Sequence, residues 1–183
     1  MRTGIIVGRA AAALDEYDAA QQLGAFDCCL VVGKMAVDFP HPIDHWVTFH
    51  AALYDKWSAE REARGHPAPT RYWSAVYRGR KLGEHETSRP LDFVPCIGGS
   101  SGYLAVQVAL DMLGLQRVVL AGIPMQADAA HYGDARAWDE ANFYWATWER
   151  NLSTLRGKVR SMSGRTRDAL GAPTPTWLAG QEE

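Results

Sequence analysis

The segment from residue 98 to residue 122 constrains the fold of this chain more than any other. It joins a turn of small residues to an apolar helical stretch, a glycine stop at Gly114 and a continuous apolar run, in the sequence GGSSGYLAVQVALDMLGLQRVVLAG. This succession predicts a turn, a helix and a buried parallel strand. The turn leaves the first N–H groups of the helix without partners, and the helix dipole favours an anion there.

Strands and helices are predicted to alternate along the rest of the chain. Apolar runs predict strands at 5–7, 28–32 and 118–121. Weak alternation predicts a strand at 45–49, an aromatic-rich segment predicts one at 71–77, and a last short strand is expected near Val159. The patterns that predict helices are 10–23, 51–64, a helix capped by Ser100 or Ser101, 136–155 and 163–171. This order predicts the α/β class, as a single Rossmann-like domain over residues 1–178. We expect a mainly parallel sheet with helices on both faces, a mobile polar loop at 79–89 and a frayed tail at 179–183.

The composition of the chain bears on whether it binds nucleic acid or membranes and on its cellular compartment. The 183 residues carry a formal net charge of −2, so nothing in the overall charge favours nucleic acid or a membrane surface. A basic cluster near residues 156–167 has no interleaved aromatics, and we expect it to be a solvated surface. No apolar run approaches the ~20 residues that span a bilayer. Three cysteines make no disulfide framework, and we expect a cytoplasmic protein.

Small or basic residues follow the predicted strands where a ligand is expected. In open α/β sheets the ligand lies outside the carboxyl ends of the strands. We therefore expect a phosphate or nucleotide-type ligand to contact these residues: Gly8, Arg9, Gly33, Lys34, His50, Gly99, Ser100, Ser101, Gly102 and Gly122. The alternatives are a plain helix cap at Ser100–Gly102 and a solvated side chain at Arg9.

The central segment resembles a known superfamily. The motif SGYLA followed by ALDMLGLQRVVLAGI is similar to that of the single-Rossmann-domain bacterial sialyltransferases, and equally to the 6-hydroxymethylpterin diphosphokinase-like proteins. The order of a Val-Gly turn, a second strand, a Ser-Gly helix, a glycine-ended strand and a His-Tyr loop also matches. The resemblance implies a nucleotide or nucleotide-sugar donor as cofactor and transfer to an acceptor hydroxyl. It gives His131 the role of general base, and Tyr132 that of a hydrogen-bond donor to the leaving phosphate.

Three positions depart from the pattern of those relatives. The first turn has Gly8-Arg-Ala-Ala-Ala12 in place of Gly-x-Gly-Pro-Ser, Gly33-Lys34 stands where the relatives have Asn, and Pro124 replaces an Asp. These departures motivate two alternatives to a sialyltransferase-like enzyme. One is a non-catalytic nucleotide-binding or phage-associated accessory protein, and the other is a diphosphokinase-like enzyme that needs Mg²⁺.

Histidines and tryptophans elsewhere have simpler interpretations. His41, His45 and His50 do not share a face across a proline-broken loop and a strand, so we predict no metal site. Trp138, Trp145 and Trp148 recur at helical spacing, which predicts core packing rather than a stacking platform.

Overall fold

The sheet is parallel except for one short strand. The computed structural model describes residues 1–96 and 98–181. Seven parallel strands are β1 (Thr3–Val7), β2 (Cys28–Val32), β3 (His45–Val47), β4 (Arg71–Tyr77), β6 (Leu91–Pro95), β7 (Arg117–Ala121) and β10 (Val159–Ser161). The antiparallel strand β5 (Arg80–Lys81) pairs with the end of β4. A separate hairpin consists of β8 (Ala130–His131) and β9 (Asp134–Ala137). The α/β class and the mainly parallel sheet are therefore confirmed.

Helices connect the strands and cover both sides of the sheet. They are α1 (Ala13–Gln21), α2 (Met35–Asp38), α3 (Tyr54–Ala63), α4 (Ser101–Gln107), α5 (Ala141–Leu155), α6 (Gly164–Leu170) and α7 (Pro175–Leu178). A 3₁₀ turn (Ala51–Leu53) precedes α3, and α4 continues directly into a π-helical segment (Val108–Met112). Within the described part of the chain, no helix combines the length and apolar character needed to cross a membrane.

Successive strand residues enter two different cores. Ile6, Val118 and Leu120 belong to one cluster with α4 and α5, whereas Ile5 and Val119 belong to another with α1, α2, α3 and α7. Side chains alternate across a strand, so a strand covered on both faces must be apolar at nearly every position. The continuous runs at 28–32 and 117–121 meet that requirement.

The chain reverses its direction of winding beside β1. From β1 it adds β2, β3, β4 and β6 outward on one side, then crosses back to place β7 and β10 on the other. The carboxyl ends of β1 and β7 therefore flank a topological switch point, where open α/β sheets bind ligands.

A buried arginine holds the β2–β4 half of the fold together. Arg61 of α3 is 1% exposed, and its guanidinium donates to the carbonyls of Ala36, Phe39, His41 and Pro67 at 2.5–2.9 Å. These bonds fix α2 against α3. Since α2 begins directly after Lys34, Arg61 also fixes the position of that residue at the sheet edge.

The structure departs from the predicted elements at several places. The helix predicted from 136 begins only at Ala141, because Asp134–Ala137 pairs with Ala130–His131 as a hairpin. Residues 91–95, not predicted as a strand, form the edge strand β6.

Both segments predicted to be flexible make hydrogen bonds to other parts of the chain. Asp55 of α3 accepts bonds from the amide and hydroxyl of Ser88, in the loop 79–89, both at 2.7 Å. Residues 179–181 of the predicted tail donate backbone hydrogen bonds to α7, whose Trp177 is fully buried. Glu182 and Glu183 lie outside the described residues.

Candidate functional site

A cleft of about 970 Å³ runs along the carboxyl edge of the sheet. Its volume suits a ligand of nucleotide size. The structure brings eleven of the twelve predicted site residues into its lining: Gly8, Arg9, Gly33, Lys34, His50, Gly99, Ser100, Ser101, Gly102, Gly122 and His131. The twelfth, Tyr132, does not line the cleft. Its side chain packs against the core cluster on the α1 side of the sheet.

Two glycines allow the backbones of the turns after β1 and β7 to pack directly against each other. A Cβ on Gly8 would clash with the carbonyl oxygen of Gly122, and a Cβ on Gly122 would lie 2.6 Å from that of Ala13. The amide of Gly8 donates to Ala121 and that of Gly122 to the carboxylate of Glu16, both at 2.7 Å. The amides of these two glycines are thus engaged by the protein, and their contribution to the site is close backbone packing.

The start of α4 presents groups that a ligand can use. Gly98 and Gly99 have φ of +105° and +96°, conformations that favour glycine. Ser100 caps the helix by accepting from the amide of Tyr103, and the hydroxyl of Ser101 accepts from the amide of Phe49. Both hydroxyls act as acceptors, so each keeps its own O–H for donation. Helix geometry leaves the amides of Ser101 and Gly102 without intrahelical acceptors.

The cleft carries an excess of positive charge. Three cationic side chains line it (Arg9, Lys34 and Arg150), against one carboxylate, that of Glu140. The Nε of Arg9 is buried and has no hydrogen-bond partner among the described residues. No ion pair within the described ranges involves Arg9 or Lys34. A buried guanidinium nitrogen without a partner is costly, and an anionic ligand would supply one.

The hairpin that carries His131 is docked on the turn after β1. The amide of Tyr132 donates to the carbonyl of Arg9 at 2.7 Å, and the amide of Ala11 donates to Ala130 at 2.9 Å. His131, in the strand β8, lines the cleft, whereas Tyr132, in the turn that follows, packs against the core. His131 and Arg9 therefore border the same end of the cleft.

The three histidines of residues 41–50 have separate environments. His41 stacks on Tyr17, and His45 Nδ1 accepts from the indole of Trp73 at 2.9 Å. His50 lines the cleft beyond the end of β3. Over residues 1–96 and 98–181, no group of three or more His, Cys, Asp or Glu side chains has the arrangement of a metal site.

One face of α5 forms a wall of the cleft that sequence reasoning missed. Phe143, Thr147 and Arg150 line the cleft, and their spacing of four and three residues places them on one helical face. Trp145 and Trp148 on the other face are buried, as their spacing predicts. Trp138 precedes the helix; it is half-buried, packs against the core as predicted, and also lines the cleft. The sequence signal for this wall is the large aromatic residue Phe143, which lies outside the apolar stripe of the helix.

Comparison with known proteins leaves the site to be interpreted from its own geometry. No protein-family model matches this chain, and neither a curated protein nor a solved structure matches it. The similarity to sialyltransferase-like and diphosphokinase-like proteins therefore stays an expectation from the sequence motifs.

Proposed function

We propose that this protein binds a phosphate-bearing ligand of the nucleotide type in the cleft and transfers a group from it to an acceptor hydroxyl. The observation that carries the proposal is the charge of the cleft. Arg9 and Lys34 lack carboxylate partners among the described residues, and they share the cleft lining with Ser101 and Gly102, whose amides have no intrahelical acceptors. Cations together with a helix N-terminus are a recurring means of holding phosphate.

The proposed reaction assigns separate roles to His131, to Arg9 and to the start of α4. The acceptor oxygen attacks the donor carbon bound to phosphate, and His131 takes the hydroxyl proton. The carbon–oxygen bond to the phosphate breaks, and the phosphate leaves with the electron pair. Arg9 and the start of α4 would stabilise the charge that develops on the leaving oxygen. Histidine suits this role because its ordinary pKa of ~6.5 lies near neutral pH.

The composition of the cleft favours a reaction without a bound metal over the diphosphokinase-like alternative. Mg²⁺ is held by carboxylates and phosphate oxygens, and Glu140, an exposed residue, is the one carboxylate in the described lining. The accessory-protein alternative shares the binding step and lacks the transfer step. A turnover assay with a bound nucleotide sugar therefore separates it from the enzyme.

Binding is tested by removing one cation from the cleft. We expect Arg9→Ala to weaken binding of nucleoside diphosphates, followed by calorimetry, by ~10- to 100-fold, as for loss of a charge-assisted hydrogen bond. The matched control is Arg167→Ala on α6, an exposed arginine outside the cleft lining. The proposal fails if no nucleotide binds the wild-type protein, or if both variants bind like it.

Catalysis is tested at His131. We expect His131→Ala to lower the rate of transfer at least ~100-fold, the usual contribution of a general base, with ligand affinity changed less than threefold. His85→Ala, at a side chain 90% exposed, is the control. Unchanged turnover in His131→Ala would remove this residue from the mechanism and leave the binding proposal standing.

A further inference from the structure

Exposed apolar side chains collect at the mouth of the cleft. Among the described residues five large apolar side chains are exposed, and three of them, Leu53, Tyr77 and Phe143, line this cleft. Phe143 is 79% exposed. Large apolar patches left open on a soluble protein commonly mark binding sites.

Three aromatic rings form a continuous wall on the α5 side of this mouth. Trp138 and Tyr144 stack with centroids 5.9 Å apart and planes 25° from parallel. Phe143 meets Tyr144 edge to face at 5.3 Å. On the inner side, Trp138 approaches His131 at 6.0 Å. We call Trp138, Phe143 and Tyr144 the aromatic wall; it leads from His131 out to solvent.

The cleft thus has two chemically different parts. We call Arg9, Lys34 and the start of α4 the cationic floor; the aromatic wall supplies apolar surface on the α5 side, where Arg150 also lines the cleft. A ligand that matches both has an anionic group at one end and a flat apolar ring at the other. Inorganic phosphate and sugar phosphates match the floor alone, whereas a nucleotide matches both.

We infer that the aromatic wall stacks the base of a nucleotide whose phosphates occupy the cationic floor. This inference rests on the proposed function and adds to it the residues that select a nucleotide over other phosphates. Stacking on an aromatic ring accepts any base, because every base has a π face. The wall therefore selects for the presence of a base more than for its identity.

The test compares ligands with and without a base. Calorimetry would follow nucleoside diphosphates of the four common bases, ribose 5-phosphate and inorganic pyrophosphate. We expect Phe143→Ala and Tyr144→Ala each to weaken every nucleotide ~5- to 150-fold, the range for loss of one stacking contact. Pyrophosphate and ribose 5-phosphate affinities should change less than twofold. Met112→Ala, at an exposed apolar side chain outside the cleft lining, is the matched control and should bind all ligands as the wild type does.

Each other outcome overturns the inference in a distinct way. If the two aromatic variants bind nucleotides like the wild type while Arg9→Ala does not, stacking fails and the proposed function stands. Equal losses for nucleotides and pyrophosphate would show that the substitutions act on the floor or the fold. If ribose 5-phosphate loses as much as the nucleotides, the wall contacts the sugar and the assignment to the base is wrong. If no phosphate compound binds the wild type, both the proposed function and this inference fail.

Discussion

Replacement of Arg61 by methionine tests how the fold holds the cleft in shape. The substitution keeps a long unbranched side chain and removes the donors to four backbone carbonyls. Two of those bonds, to Ala36 and Phe39, are fully buried, and the other two, to His41 and Pro67, are partly solvated. Water can reach the outer pair after the substitution, whereas the inner pair stays dry and unpartnered.

The expected loss follows from the inner pair. A buried carbonyl left without a donor costs ~1–3 kcal/mol, so two of them amount to about 4 kcal/mol. Loss of the outer bonds lowers the free energy of unfolding, whereas removal of the buried charge raises it, and we take these two effects to cancel. For a chain of this length, about 4 kcal/mol corresponds to a fall in Tm of ~8–16 °C.

Urea unfolding followed by tryptophan fluorescence measures this loss directly. Arg64→Met is the matched control, because it makes the same change three residues later, at a side chain 45% exposed that pairs with Asp38 at 3.4 Å. An exposed ion pair contributes ~0–1 kcal/mol, so the control should lose no more than that. Equal losses in Arg61→Met and Arg64→Met would refute the reasoning, since they would show that the buried carbonyls find other partners.

Two further predictions concern Gly122 at the switch point and His45 at the start of β3. Gly122→Ala should lower the free energy of unfolding by about 3 kcal/mol, from left-handed strain at φ +67° and crowding by Ala13. Gly133→Ala has nearly the same φ, +68°, in open space, and should lose only ~1 kcal/mol; equal losses would exclude crowding. Burial lowers the pKa of His45 in the folded protein, against an opposing carboxylate, and protonation of its Nδ1 would break the bond from Trp73. Stability should therefore be complete above the unfolded pKa of ~6.5 and decline as the pH falls below it. Unfolding curves from pH 8 to 5 should show a smaller decline for His45→Gln, and an equal decline would remove this histidine as the cause.

Strands buried on both faces were predictable with accurate bounds. Cys28–Val32 and Arg71–Tyr77 agree with the predicted strands at both ends. Cys28–Val32 is apolar throughout because its side chains enter both cores, and within Arg71–Tyr77 the buried neighbours Tyr72 and Trp73 enter one core each. The edge strand Leu91–Pro95 was not predicted, because it is only partly buried. Asp92 interrupts its apolar pattern, and a proline ends it.

The contact between the hairpin and the turn after β1 could not be predicted, because the two segments are far apart in sequence. Ala10 bridges to His131, more than a hundred residues along the chain. This pairing removes residues 10–12 from the predicted first helix, which begins at Ala13. Trp138 has the spacing of the helix that follows, and local pattern alone assigns it there. Contacts over such a separation depend on the closed fold, which a periodicity does not encode.

The convergence of glycines at the sheet edge followed from the parallel topology, but their role did not. A glycine after a buried strand predicts close approach of either a ligand or another backbone, and sequence does not distinguish the two. In the structure the amides of Gly8 and Gly122 already have acceptors within the protein. Under the proposed function, the groups that hold the anion are therefore Arg9, Lys34 and the start of α4.

Because the glycines pack the turns and Arg9 is proposed to hold the anion, substitutions at these positions should affect stability and ligand affinity separately. Substitution of Gly122 disturbs the contact between two turns, so it should lower stability while the folded fraction keeps its affinity for phosphate. Substitution of Arg9 removes a guanidinium whose buried Nε has no described partner, so it should lower affinity at little cost in stability. Gly122→Ala keeps the backbone amide and moves the turn that carries it, because the new Cβ would crowd Ala13. A loss of affinity in the folded fraction of Gly122→Ala would therefore show that the anion contacts this turn, whereas a loss confined to Arg9→Ala would show that the guanidinium holds it.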